Sequence, residues 1–137
     1  MIYHKSVLLD ESIEALAIKP DGIYVDATYG GGGHARAILG RMQGGKLVAF
    51  DQDEEAILNR IDVPRLVMVN NNFRFLRNFL KLHHASPADG ILADLGISSH
   101  QIDQPDRGFS TRFDGVLDMR MDRKKKQTAR DIVNHYS

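Results

Sequence analysis

Four glycines in a row, Gly30 to Gly33, interrupt the stretch DATYGGGGHARAIL at residues 26–39. Glycine loses the most backbone freedom on folding, so such a run implies a sharp turn or the close approach of another group. Residues 30–35, GGGGHA, fit the pattern G-x-G-x-x-A, in which the glycines open the amides of a helix N-terminus to a ligand. A carboxylate, Asp51, follows Gly33 by 18 residues. That is the spacing at which an acid takes the ribose hydroxyls of an adenosine ligand. The competing role for Asp51 is a helix-capping acid, a task Asp53 can also perform. A third acid, Asp94, lies in the run ADGILADLG at 88–96. At a strand end it could accept a hydrogen bond from an amine or a bound cofactor, or serve the turn alone.

Asp26 precedes Gly30 by four residues, which makes the stretch D-x-x-x-G-x-G. Two adenosine ligands suit a glycine loop of this kind, a nicotinamide dinucleotide and S-adenosylmethionine. A carboxylate aimed into the loop would face the pyrophosphate of the first across a poorly screened site. It would complement the ammonium and sulfonium of the second. The electrostatics favour the methyl donor, and the oxidoreductase reading rests on the glycine pattern and Asp51 alone.

The surrounding chain has to hold these groups in place. GIYVDATY (22–29), KLVAFD (46–51), RLVMVN (65–70) and ADGILADLG (88–96) read as strands from their β-branched and apolar content. Helical patterns separate them at 34–42, 53–61 and 73–84, and SVLLDESIEAL (6–16) forms a helix before the first strand. Strands alternating with helices predict an α/β fold, a parallel sheet joined by right-handed crossovers in the order 3-2-1-4. Beyond residue 95 the pattern gives way to a loop to about Gly115. RKKKQTARDIVNHY (123–136) then reads as the start of another helix.

The 137 residues contain 42% hydrophobic and 26% charged residues and no cysteine. That composition suits one soluble domain and excludes disulfides and thiolate metal sites. No apolar run approaches the ~20 residues of a membrane span, and the acidic N-terminus does not resemble a secretory signal, so a cytoplasmic protein is expected. His83 and His84 are adjacent and would point apart on a helix, so no metal site is expected. Residues 1–106 carry 10 Lys and Arg against 14 Asp and Glu, and residues 107–137 carry 8 against 4, a basic segment on an acidic body. Such a segment suits a polyanionic partner, although a charge run such as 123–126 is also a common solvated face. Phe109 and Phe113, interleaved with Arg107 and Arg112, could stack on a base and neutralise phosphates, or pack against further protein.

HKSVLLDESIEAL, DATYGGGGHARAIL, DQDEEAI, DGILADLGISSHQIDQPDRGFS and DGVLDMRMD occur in this order between residues 4 and 122. Together they resemble the bacterial small-subunit (16S) ribosomal RNA cytosine-N4 methyltransferases. The resemblance implies a class I S-adenosylmethionine-dependent, Rossmann-like fold of which only the first half of the sheet is present. It implies S-adenosylmethionine as cofactor and a cytidine in the decoding region as substrate, with the small ribosomal subunit and its 16S RNA as partner. By motif, the cofactor would meet Gly32, Gly33, His34, Asp51, Phe73, Asp94 and Gln101. Asp94 is also the candidate catalytic residue, although DLGISS stands where many amino-methyltransferases carry D/N-P-P-Y. Thr111 and Val116 depart from the family's GFSF and DGPLDMRMD.

Family members are about twice as long, so the chain resembles an N-terminal piece. Residues 1–106 would be half of the methyltransferase domain, and 107–137 a substrate-side loop leading into an inserted helical domain. Strand four would then be an unprotected edge, from which self-association is expected. A non-catalytic adenosine-binding module is the third reading beside the methyltransferase and the oxidoreductase.

Overall fold

The computed structural model describes residues 6–136. It divides into two compact units, residues 1–95 and 96–137.

The first unit is a parallel sheet with helices on both faces. Strands β1 (Ile23–Asp26), β2 (Lys46–Asp51), β3 (Leu66–Asn70) and β4 (Gly90–Leu92) stand in the order β3-β2-β1-β4. This is the expected order, and every pairing is parallel. Alternate side chains of a strand face opposite sides of the sheet, so each central strand feeds two cores. Tyr24, Leu47 and Ala49 join Ile13 of α1 (Leu9–Ala15) and Ala35, Ile38 and Leu39 of α2 (Gly33–Arg41) on one side. Val25, Val48, Phe50 and Val69 join Leu80 of α4 (Leu76–Leu82) on the other. There the ring of Phe79 meets Phe50 edge-on at 5.9 Å.

Several elements are shorter than the sequence pattern predicts. Between β2 and β3, α3 is confined to Glu54–Leu58, and Asp53 caps it by accepting the Glu55 amide. A 3-10 turn over Phe73–Phe75 precedes α4, capped by Asn72, and His83 lies just past the helix with its ring stacked on Phe79. The largest correction concerns strand four, which pairs over three residues only. Asp94 therefore does not end a buried strand. Its amide donates to Thr28 Oγ1 at 2.7 Å, away from the ladder, and its side chain is 42% exposed.

The second unit is organised around two capping boxes. The expected loop from 96 to 115 contains a helix, α5 (Ser99–Asp103), and a 3-10 turn over Pro105–Arg107. Ser98 and Gln101 exchange side-chain and backbone hydrogen bonds at the start of α5. The final helix, α6, runs from Ala129 to His135 behind a matching Thr128–Asp131 box, so the basic run at 123–126 precedes it. That run is not helical because Arg120 holds it as a turn: its guanidinium donates to the Arg123 and Lys125 carbonyls while pairing with Asp118 at 2.7 Å. The paired guanidinium holds the Asp118 carboxyl well below the usual range, at about 2.

Candidate active site

The glycine loop joins β1 to α2 at the carboxyl edge of the sheet, where ligands bind in folds of this kind. Gly32 adopts φ +75°, and a Cβ there would come within 2.7 Å of the Tyr29 hydroxyl. Both the backbone conformation and the packed ring therefore demand glycine. Tyr29 is itself buried, with its hydroxyl accepting the Ile61 amide. Gly30 and Gly31 meet nothing within 4 Å at the position of a Cβ, so the loop presents open backbone there. Arg36 steadies it by donating to the Gly31 carbonyl at 2.8 Å. Gly32 offers α2 no side-chain cap. The first-turn amides of a helix lack intrahelical partners and carry the positive end of its dipole.

Asp51 does more than the sequence reading asks of it. One carboxylate oxygen accepts the Gly30 amide at 2.8 Å and the other accepts the Asp53 amide at 2.9 Å. The side chain thus pins the glycine loop to the end of β2, and capping of α3 falls to Asp53. A carboxylate offers about four acceptor positions, more than these backbone amides fill, so it retains acceptor capacity for a hydroxyl. Burial raises its pKa against the opposing pull of the Asp53, Gly30 and Gln52 amides. From β3, Asn70 donates to the Asp51 carbonyl at 3.0 Å and Asn72 to the Gln52 side chain at 3.3 Å. These bonds align the end of β3 with that of β2, and Phe73 follows with 42% of its surface exposed.

Asp26 is the group that the residue list from the resemblance omits. It is completely buried at the end of β1. Its Oδ1 accepts the Thr28 amide at 3.0 Å, while its Oδ2 has no hydrogen-bond partner. Loss of hydration raises its pKa to about 6, and the charges of Asp51 and Asp94 push in the same direction. The Thr28 amide and His34 pull it down. A buried acceptor without a partner is costly, and a cationic ligand would relieve both the missing hydrogen bond and the unbalanced charge. The D-x-x-x-G-x-G spacing was the signal that could have placed Asp26 on the list.

His34, near the start of α2, is 95% enclosed, with a relative exposure of 5%. Its Nε2 lies 3.2 Å from the Val7 carbonyl and its Nδ1 4.0 Å from Asp94 Oδ2. Gly32, Gly33, His34, Asp51 and Asp94 are thus all placed by the first unit at the carboxyl edge of its sheet. Gln101 belongs to the second unit, where it is buried and its Oε1 accepts the Ser98 amide at 3.0 Å. Of the proposed nucleic-acid residues, Arg107 is placed differently from expectation. It is 1% exposed, donates to the carbonyls of Arg120 and Met121, and lies 5.9 Å from the Phe109 ring centre. A guanidinium committed in this way fastens the 107–121 loop and is not available to a phosphate. Arg112 is exposed, and 45% of Phe113 is in solvent.

Comparison with known proteins matches residues 1–137 to a single family description, the MraW methylase family. The chain belongs to the MraW methylase family. S-adenosylmethionine is the methyl donor of that family, as the resemblance implied. Curated relatives include proteins named ribosomal RNA small subunit methyltransferase H. That of Cytophaga hutchinsonii is 56% identical over 138 residues, covering 99% of this chain and 46% of the relative. Those of Flavobacterium johnsoniae and Bacteroides fragilis are each 56% identical, covering 99% and 98% of this chain and 45% and 44% of the relatives. The chain therefore spans a little under half the length of the MraW methylase relatives it matches. Among its described residues, no helix is long and apolar enough to cross a membrane.

Proposed function

We propose that this chain carries the donor-binding half of a methyltransferase that modifies the exocyclic N4 of a cytidine in the decoding region of the small-subunit ribosomal RNA. The observation that carries the reading is Asp26, a buried carboxylate with one unpartnered oxygen beside the glycine loop. A pyrophosphate would worsen that electrostatic imbalance, so the nicotinamide reading is the poorer one. S-adenosylmethionine, when bound, supplies an electrophilic methyl group on a sulfonium.

In this reading Asp51 takes the ribose hydroxyls, and Gly32, Gly33 and His34 form the loop beside the amino-acid end of the donor. Phe73 provides an apolar surface at the end of β3. Asp94 accepts a hydrogen bond from the amine or the donor. An exocyclic amine needs alignment with the methyl carbon more than it needs a strong base. An acceptor oxygen offsets the positive charge developing on the nitrogen. Residues 107–137, with Arg112, Phe113 and the 123–126 run, meet the RNA in the cytoplasm.

Calorimetric titration of the chain with S-adenosylmethionine and with NAD tests the donor assignment. Binding of NAD alone would replace the methyltransferase by an oxidoreductase. Incorporation of labelled methyl groups into purified small subunits, mapped to the nucleotide, tests the substrate. Donor binding without incorporation would support the non-catalytic module for the chain as it stands.

A further inference from the structure

His34 sits near the entrance of α2, yet both of its ring nitrogens face protein groups. A carbonyl oxygen only accepts, so the contact with Val7 requires hydrogen on Nε2 and turns Nδ1 toward Asp94. Val7 belongs to a segment that also touches α2 at Gly33. A Cβ on Gly33 would land on the Ser6 hydroxyl, so the close approach exists only because residue 33 is glycine.

Local energetics do not explain the course of this segment. Leu8 is held in the left-handed region, φ 46° and ψ 39°, and supplies no side-chain cap to α1. That conformation is unfavourable for a side chain of this kind. Val7 and Leu8 are also 60% and 64% exposed, so burial of their side chains does not offset the strain. The segment is held by the Ser12 amide, which donates to the Leu8 carbonyl, by its contact with Gly33 and by the His34 ring, which donates to the Val7 carbonyl. Strained backbone of this sort concentrates at working sites.

We propose that His34 is a positioning residue, which fastens the Ser6–Leu8 segment across the entrance of α2, making that segment a wall of the donor site. The proposal rests on the donor reading of this edge. It gives His34 a role through Val7 rather than through its own contact with a ligand. The ring is already enclosed.

The test compares the chain with His34→Gln, whose amide can still donate to the Val7 carbonyl, and His34→Leu, which cannot. Two quantities are read: amide hydrogen exchange over residues 6–16, with and without S-adenosylmethionine, and the donor dissociation constant by calorimetry. His34→Leu should speed exchange over 6–12 and weaken the donor about tenfold, the effect of one lost hydrogen bond of average strength. His34→Gln should restore both toward the unsubstituted chain, and the donor should slow exchange over 6–12 wherever the anchor is intact. A lower melting temperature with unchanged donor affinity would reduce His34 to packing and overturn the proposal. Equal losses in the Gln and Leu variants would overturn it as well. Should His34→Leu fail to fold, His34→Asn, too short to reach Val7, takes its place. If the chain takes up no donor, the donor reading falls, while unchanged exchange in the unliganded variants would independently refute the anchor.

Discussion

The Gly30 amide and the Asp51 carboxylate, 21 residues apart in the chain, meet at 2.8 Å. The residue expected to hold the ribose is therefore also the residue that shapes the loop facing it. Asp51→Ala removes both the acceptor for a ligand and the partner of two amides. Donor affinity should fall by ~1–3 kcal/mol, the usual consequence of leaving polar groups unpaired. Asp51→Asn keeps one acceptor oxygen and should lose less. Calorimetry decides, and an unchanged dissociation constant for Asp51→Ala would remove the residue from the site.

The buried Asp26 makes stability depend on pH in an unusual direction. Its folded-state pKa of about 6 lies above the ordinary 3.8, so between those values the native chain binds more protons than the unfolded one. Stability of the unliganded chain should therefore decrease as pH rises through that window, by on the order of 3 kcal/mol from this group. Asp26→Asn should flatten this part of the profile in urea titrations. A cationic donor favours the ionised form, so its affinity should rise with pH across the same range. A donor affinity independent of pH would separate Asp26 from the ligand.

Arg107 and Arg112 should fail in different ways. Arg107→Ala removes a buried donor from the part-buried carbonyls of Arg120 and Met121, and should lower unfolding free energy by ~1–3 kcal/mol, read by thermal melts. Arg112→Ala should leave the melt nearly unchanged and reduce the salt dependence of binding to small-subunit RNA. Each phosphate contact contributes roughly one to the slope of log affinity against log salt. An affinity that is flat from low to physiological salt would return Arg112 and the 123–126 run to the role of a solvated surface.

Strand β4 pairs with β1 alone among the described strands, and Ile91 on it is 55% exposed. We propose that this edge recruits a second strand, here from another copy of the chain. Light scattering should then report association, and Ile91→Lys should suppress it, because an edge charge disfavours strand addition. A monomer at high concentration would refute this.

Much of this protein was legible in the sequence because the informative signals are local. The alternation of apolar strands with helices sets a parallel sheet, and right-handed crossovers leave the 3-2-1-4 order. The acids and glycines at 26–33 and 51 mark a candidate site by spacing alone. The capping box that starts α5, Ser98 with Gln101, is equally local, although it lies within a stretch whose composition reads as loop. What the tertiary structure alone decided depends on groups far apart in the chain. Asp94 leaves the ladder because Thr28 offers its hydroxyl, so β4 stops early. Arg107 turns inward because carbonyls 13 and 14 residues away converge on it. Asp26 becomes a buried charge with an unpartnered oxygen because the sheet closes around the end of β1. Spacing along a chain encodes which groups can meet, whereas desolvation and hydrogen-bond competition, which set what they do, arise only once the layers are packed.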